Sequence, residues 1–392
     1  MTVLAWRSGE HRAVALRASS YGIGVSTLLR VLLSLVTAGE SHGPALVAVV
    51  TGLPAGLVLD RDAIDRDLAR RQEGYGRSPR QRIETDRVEV LAGLRHGRTL
   101  GTPLALVVPN LDHENWAWGM APWPPEGEAT GKGVRPVTLP RPGHADLAGA
   151  LKFGLDDVRD ALERASARHT AALVAAGAVA KALLARIGVG VAGSTLEIGG
   201  SRDAHEAAID GARADRDTLG GVVEVRADGV PPGLGSYATR EERLDARLAS
   251  AVMGIQAVKG VEIGDGFALA RERGSQAHDE ILPGLRRASN RAGGIEAGVT
   301  NGEQVVVRAA MKPLPTLMRP LRSVDLESGE PADALVERSD VAAVEALAVV
   351  AEAVVAFELA RAARETFGGD ALDDFVAAWR SYLDRIAWHR PA

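Results

Sequence analysis

Apolar positions along the chain change period several times, and those changes mark out short strands and longer helices. Residues 1–31 mix charged and apolar positions without a clear period and read as an extension, either an upstream start or a flexible arm. From about 32 to 60, two apolar runs flank Gly39–Gly43. The second run, Ala45–Thr51, ends at the turn signal Gly52-Leu53-Pro54-Ala55-Gly56, so the two predict paired strands. Over 61–73, Ala63, Ile64, Leu68 and Ala69 recur at helical spacing, with Asp60 placed as N-cap. Strands are expected near 88–91 and at 104–108. Residues 117–143 are rich in Pro and Gly, with three tryptophans between 116 and 123, and read as a long surface loop or lid. The alanine-rich stretch 155–187 is the strongest helical segment, although Gly177 sits inside it. Strands return at 221–225, 258–263 and 304–308, and helices at about 240–252 and 339–365. Hairpins and helices alternate without regular βαβ order or a short repeat. This predicts an α+β fold in layers, and the length alone allows two or three domains or one large one.

Two apolar runs need a decision. Leu28–Ala38 resembles a weak signal core, but cleavage there would fall beside Gly39–Gly43, so a buried strand is the preferred reading. Ala346–Ala360 is interrupted by Glu352 and Glu358 and falls short of the roughly 20 apolar residues of a membrane span, so it reads as a core helix.

Composition narrows the chemistry. The 392 residues include no cysteine, which excludes disulfides, thiolate metal sites and a cysteine nucleophile, and fits a cytoplasmic protein. With 46 basic and 51 acidic residues the net charge is −5, not the basic excess of a nucleic-acid binder. A local arginine cluster can still hold a small anion.

Seven groups of residues carry candidate chemistry. Gly39-Glu40-Ser41-His42-Gly43 places a carboxylate, a hydroxyl and an imidazole between glycines that permit sharp turns and close approach to a ligand. A strand-ending turn with incidental polar residues is the plainer alternative. Arg66, Arg70, Arg71, Arg77, Arg80 and Arg82 form a run without lysine, suited to forked bonds to phosphate or carboxylate, or else a solvated basic face. Arg141-Pro142-Gly143-His144-Ala145-Asp146 sets a second histidine beside a carboxylate on constrained backbone. Glu163-Arg164-Ala165-Ser166-Ala167-Arg168 offers small residues to a flat ligand. Asn290–Gly298 (NRAGGIEAG) suggests backbone contact with a ligand, Lys312-Pro313-Leu314-Pro315-Thr316 a rigid strip, and Glu337-Arg338-Ser339-Asp340 precedes a helix that Asp340 can cap. The stretch Gly127–Gly133 lacks P-loop spacing. No HExxH, Gly-x-Gly-x-x-Gly after a strand, or Gly-x-Ser-x-Gly occurs, which speaks against zinc, Rossmann and hydrolase-elbow chemistry.

GESHG, RRQEGYGR, RPGHAD, ERASAR, NRAGGIEAG, KPLPT and ERSD stand in the order seen in the chorismate synthase family, and from about Leu33 onward the chain resembles that family. The resemblance implies a layered α/β sandwich of antiparallel or mixed sheets with central helices, and a single catalytic domain over 32–392. It implies an FMN-dependent lyase that removes phosphate from 5-enolpyruvylshikimate 3-phosphate by 1,4-elimination. His42 and His144 match acid–base histidines, Ser41 belongs to the same relay, and Asp340 matches an aspartate assisting proton removal through the flavin. Arg71 and Arg77 match arginines at the substrate phosphate and carboxylate, also assigned to NADPH. Arg164, Ala165, Ser166, Gln256, Ala257, Ala297, Lys312, Pro313, Leu314, Pro315, Thr316 and Arg338 match flavin-site positions, and no metal is implied. Reduction of FMN by NADPH or by an external flavin reductase are both open, and a homotetramer is expected. His169 stands where the family has glutamate, Glu345 where it has proline, and Ala297 where it has glycine. The segment 194–217 is short and the Trp/Pro loop slightly long. A non-catalytic flavin or phosphometabolite binder on the same scaffold is the alternative.

Overall fold

The alternation in Ala45–Thr51 buries Leu46, Ala48 and Val50 on one face, and the same period in Leu104–Pro109 buries Leu104, Leu106 and Val108. A computed structural model, which describes residues 33–77, 85–337 and 339–387, places both strands at the centre of an antiparallel sheet. Its order is Ser34–Ala38, Ala45–Thr51, Leu104–Pro109, Glu89–Ala92, with Val36 opposite Val49 and Ala48 opposite Leu106. A second antiparallel sheet runs Gly190–Ile198, Gly221–Asp228, Val305–Met311, Val258–Ile263. The paired strands around Gly39–Gly43 are therefore present, and residues 34–38 of the ambiguous apolar run form one of them, but as a half-exposed edge strand and not the expected buried one.

Two helices lie between the sheets. Thr170–Ala185 packs on the first sheet, Val344–Phe367 packs on the second, and the two pack against each other. Both are apolar nearly all round, as expected of helices enclosed in a core. The result is the anticipated α+β layering with central helices, built on one continuous hydrophobic cluster. Gly177 is what allows the helices to approach. A Cβ there would come 2.3 Å from Ala353 Cβ and 2.5 Å from Ala353 Cα. Glu352, which interrupts the apolar run, is buried but paired. Arg70 binds it through two bonds of 2.9 Å, Lys181 binds it at 2.6 Å, and the Gly193 N–H donates at 2.9 Å. Burial opposes its charge, yet Arg70 and Lys181 hold its carboxyl below the usual range. Among the described residues no helix is long and apolar enough to cross a membrane.

Helix Arg61–Gln72 starts at Asp60, whose carboxylate accepts from Asp62 N at 3.0 Å, as expected. Two expectations here need correction. The segment 155–187 is not one helix but Arg159–Ala165, a single 3-10 turn at 167–169, and Thr170–Ala185. Ser166 breaks it in extended conformation and caps the turn through Arg168 N, a use of its hydroxyl that the alanine-rich neighbourhood hides. Asp340 does not cap the following helix, which begins only at Val344 with Ala343 as N-cap; its carboxylate is taken by Arg77 instead. Two of the NRAGGIEAG glycines are packed against the chain's own backbone: Cβ atoms at Gly293 and Gly294 would run into Gly264 N and Gln304 O. The extension 1–31, Arg80, Arg82 and Arg338 lie outside the described residues.

Replacing Gly177 by alanine sets a helix-propensity gain of roughly 1 kcal/mol against overpacking of about 1–3 kcal/mol. Because the obstructing atoms include backbone, overpacking wins. Gly177→Ala should lower the thermal unfolding midpoint by several degrees; an unchanged or higher midpoint would show that the helices part freely.

Candidate active site

The GESHG turn is held from three sides. Gly39 adopts φ +109° and its Cβ position is taken by the Ala45 carbonyl, so the close approach that requires glycine is to the chain itself. Arg164 donates to the carbonyls of Thr37 and Gly39, and Asn110 Nδ2 donates to those of Glu40 and Gly43. Glu163, 1% exposed, does the rest. It accepts from the His42 backbone N–H at 2.8 Å and pairs with His42 Nδ1 at 2.7 Å. Burial alone would raise the Glu163 carboxyl, but the His42 bonds and Arg159 hold it below the usual range, so it stays ionised. An ionised partner fixes the proton on Nδ1 and leaves Nε2 for the cavity. Ser41 is bonded by the Ser166 hydroxyl at 3.2 Å.

His144 repeats this construction. Its Nδ1 contacts Asp146, which is fully buried and also takes Arg141 Nε at 2.8 Å and Arg141 N at 3.0 Å. Burial opposes the Asp146 charge, but His144 and Arg141 hold the carboxyl far below its usual range. Arg141 Nη1 reaches Thr316 Oγ1 at 3.0 Å, joining RPGHAD to the 312–316 strip. The strip is also fixed by Lys312 N to Ala257 O at 3.0 Å and Thr218 Oγ1 to Leu314 O at 2.7 Å.

These elements enclose one cavity of about 550 Å³, a size suited to a small organic ligand. Ser41, His42, Arg71, Arg77, His144 and Asp340 line it, as do Ala165, Ser166, Gln256 and Ala257, and Lys312, Leu314, Pro315 and Thr316. Pro313 belongs to the strip without lining the cavity. Arg164 stands behind it, clamping the turn. Ala297 sits at the turn of the Ile295–Thr300 hairpin, away from this lining. Arg66 and Arg70 do not line it: Arg66 is exposed and pairs with Asp60, while Arg70 serves Glu352.

The lining is cationic. Arg71, Arg77, Arg141, Arg168, Lys259 and Lys312 face it, against Glu337 and Asp340, with buried Asp86 and Asp146 behind. Six cations against these four carboxylates and buried Glu163 leave the balance positive even when both histidines are neutral. Asp86 alone serves two guanidiniums, Arg71 at 2.8 Å and Arg168 at 2.7 Å. Arg77 pairs with Asp340 at 2.9 Å. Among the described residues Arg71 Nε, Arg77 Nε and Gln256 Oε1 are buried without a hydrogen-bond partner, so two donors and an acceptor are available to a ligand. Glu163, Arg141, Arg168 and Asp146 stood inside motifs visible in sequence without an assigned role; Asp86 had no sequence signal.

A sequence model of the family described as chorismate synthase matches residues 33–363. The chain belongs to the chorismate synthase family. The chorismate synthase of Desulforudis audaxviator (strain MP104C) is 54% identical over 391 residues, covering 92% of this chain and 99% of that protein. That of Rubrobacter xylanophilus (strain DSM 9941 / JCM 11954 / NBRC 16129 / PRD-1) is 54% identical over 379 residues, covering 89% and 96%. A crystal structure of chorismate synthase matches with a TM-score of 0.72 at 36% identity, over 91% of this chain and 98% of that one. Membership implies lyase chemistry and a flavin cofactor. The cavity fits such a group: the 312–316 strip offers a rigid wall, and unsatisfied Gln256 Oε1 offers an acceptor for a ring N–H.

His169, a departure from the family pattern, approaches Gln256 Nε2 through Nδ1 at 2.7 Å. Burial first, then Arg164, lowers its pKa from 6.5 to about 4. The folded chain therefore withholds a proton that the unfolded chain accepts. Stability should be unaffected above pH 6.5 and fall as pH drops from 6.5 toward 4, by on the order of 1–3 kcal/mol after solvent screening. His169→Gln should flatten that part of the stability–pH curve in urea unfolding; an identical curve would remove His169 as its source.

Proposed function

We propose that this chain converts 5-enolpyruvylshikimate 3-phosphate to chorismate and phosphate by 1,4-elimination, using FMN in its reduced form, in the shikimate pathway to aromatic amino acids. The observation that carries the reading is the convergence, in one cationic cavity, of two histidines each backed by an ionised buried carboxylate.

Arg71 and Arg168 share one counter-ion and present a net positive charge, suited to the phosphate or carboxylate of the substrate. Arg77 is already met by Asp340, so its spare Nε orients more than it attracts. When bound, FMN in its reduced form would supply transient electron density to weaken the allylic carbon–oxygen bond. With Nδ1–H committed to Glu163, Nε2 of His42 is the ring nitrogen that faces the departing phosphate, and the imidazolium form donates its Nε2 proton there. His144, oriented by Asp146 on the RPGHAD side of the cavity, would help keep a bound reduced flavin in its reactive protonation state. Fixed cations offset the accumulating negative charge without waiting for solvent to reorganise. Ala165, Ser166, Gln256, Ala257 and the 312–316 strip hold the flavin in this reading. Arg164 supports it from behind, and Ala297 and Arg338 join it as the family resemblance implies. Residues 32–392 act as one catalytic domain, in a cytoplasmic homotetramer. NADPH, at Arg71 and Arg77, or an external flavin reductase supplies the reducing equivalents.

Purified protein with dithionite-reduced FMN should release phosphate from the substrate under anaerobic conditions. Thermal stabilisation by the ligands without release would instead indicate a non-catalytic binder. His42→Ala should lose most turnover while retaining FMN binding; an unchanged rate would remove His42 from the chemistry. Glu163→Gln, which leaves the imidazole without a fixed charge partner, should lower kcat on the order of 10²-fold with a much smaller change in KM. A change confined to KM would reject the orienting role of Glu163.

A further inference from the structure

The segment 111–133 contributes nothing to the cavity lining, yet it is built tightly around one side chain. The indole of Trp116 stacks on the imidazole of His42, with ring centroids 3.9 Å apart and planes 21° from parallel. The indole is itself fixed. Its Nε1 donates to Asp112 at 3.0 Å, and a Cβ at Gly133 would come 2.9 Å from its Cε3. Arg159 lies over the ring at 4.9 Å and Lys132 at 5.7 Å. The chain folds back on itself to hold this arrangement: Lys132 N bonds Asn115 O at 2.8 Å, and a Cβ at Gly119 would meet Lys132 O at 2.5 Å. A second group of the same segment, His113 Nδ1, lies 2.9 Å from the His42 carbonyl.

A hydrogen bond at Nδ1 fixes one direction in the imidazole plane but leaves rotation about that direction, because the ring torsion of histidine is broad. A stacked, immobile ring removes that freedom. We propose that Trp116 is a positioning residue for His42, holding the imidazole plane so that Nε2 faces the phosphate to be released. The proposal rests on His42 acting as proton donor. Trp116 is absent from the cavity lining, so it acts on the chemical step through His42 and not on substrate binding.

The phosphate-release assay with reduced FMN tests this on the full chain. Trp116→Leu should lower kcat at least about tenfold with KM changed less than about twofold, since a small misplacement of a catalytic group costs rate rather than affinity. Trp116→Phe, which keeps an aromatic face, should recover most of the rate. In a His42→Ala background, Trp116→Leu should cause no further loss. The proposal is overturned if Trp116→Leu turns over at the wild-type rate, if Trp116→Phe is as slow as Trp116→Leu, or if Trp116→Leu slows His42→Ala by the factor it slows the wild type. A wild-type protein that releases no phosphate would instead overturn the proposed function.

Discussion

The pairing of Glu163 with His42 sets the geometry on which the site depends. A carboxylate at 1% exposure is destabilising by several kcal/mol unless its charge is met, and here one residue meets both oxygens, through its backbone N–H and its ring. His42 therefore cannot move without uncovering a buried charge. The carboxylate belongs to helix Arg159–Ala165, and the histidine belongs to a turn between two strands of the first sheet. Their contact converts a loop residue into one fixed to two packed elements, the condition under which a proton donor keeps a productive orientation. The break at Ser166 ties the same helix to the same turn a second time. Were the helix to continue, the Ser166 hydroxyl would lose both its cap to Arg168 N and its bond to Ser41.

The same device appears at three other places with different outcomes. Asp146 is spent on an arginine and a histidine together, so that corner is close to neutral. Asp86 is divided between two arginines, so that corner keeps a positive charge. Glu352 is over-compensated by Arg70 and Lys181, but it lies in the helical layer, where the surplus is shared with Asp67. Ratio of carboxylate to cation, more than the number of arginines, thus decides where an anion is drawn. That is why the arginine-rich run 66–82 divides into Arg71 and Arg77 at the cavity and Arg66 and Arg70 elsewhere.

Sequence legibility followed the range of the forces involved. The strand Ala45–Thr51 and the helix Arg61–Gln72 were readable because alternation, helical spacing and an Asp60 cap act within a few residues. The whole stretch 155–187 looked helical because alanine propensity is local, while the reason for its interruption is a serine 125 positions away, at the other end of a hydrogen bond. Asp340 looked like a cap because the residue that claims it, Arg77, is brought near only by the layered fold. Motif order told which residues meet in one cavity, and fourteen of the expected positions do line it. Spacing could not tell that Arg164 would turn its guanidinium to the GESHG backbone, or that two of the NRAGGIEAG glycines would be packed against the chain's own backbone.

His169 shows how a departure from the family pattern can be accommodated by the same electrostatics. A carboxylate at this position would add negative charge beside Arg164 at the edge of a cavity that favours anions. A buried imidazole whose pKa is lowered to about 4 adds no charge at neutral pH. Its neutral Nδ1 can accept the Gln256 amide N–H, and this leaves the amide oxygen, buried and without a partner among the described residues, at the cavity lining. Protonation would turn Nδ1 into a donor and force the amide to turn over, presenting N–H where the oxygen had been. Low basicity at His169 therefore has two consequences from one cause: it costs stability in acid, and it keeps Gln256 an acceptor toward the cavity over the pH range in which the imidazole stays neutral.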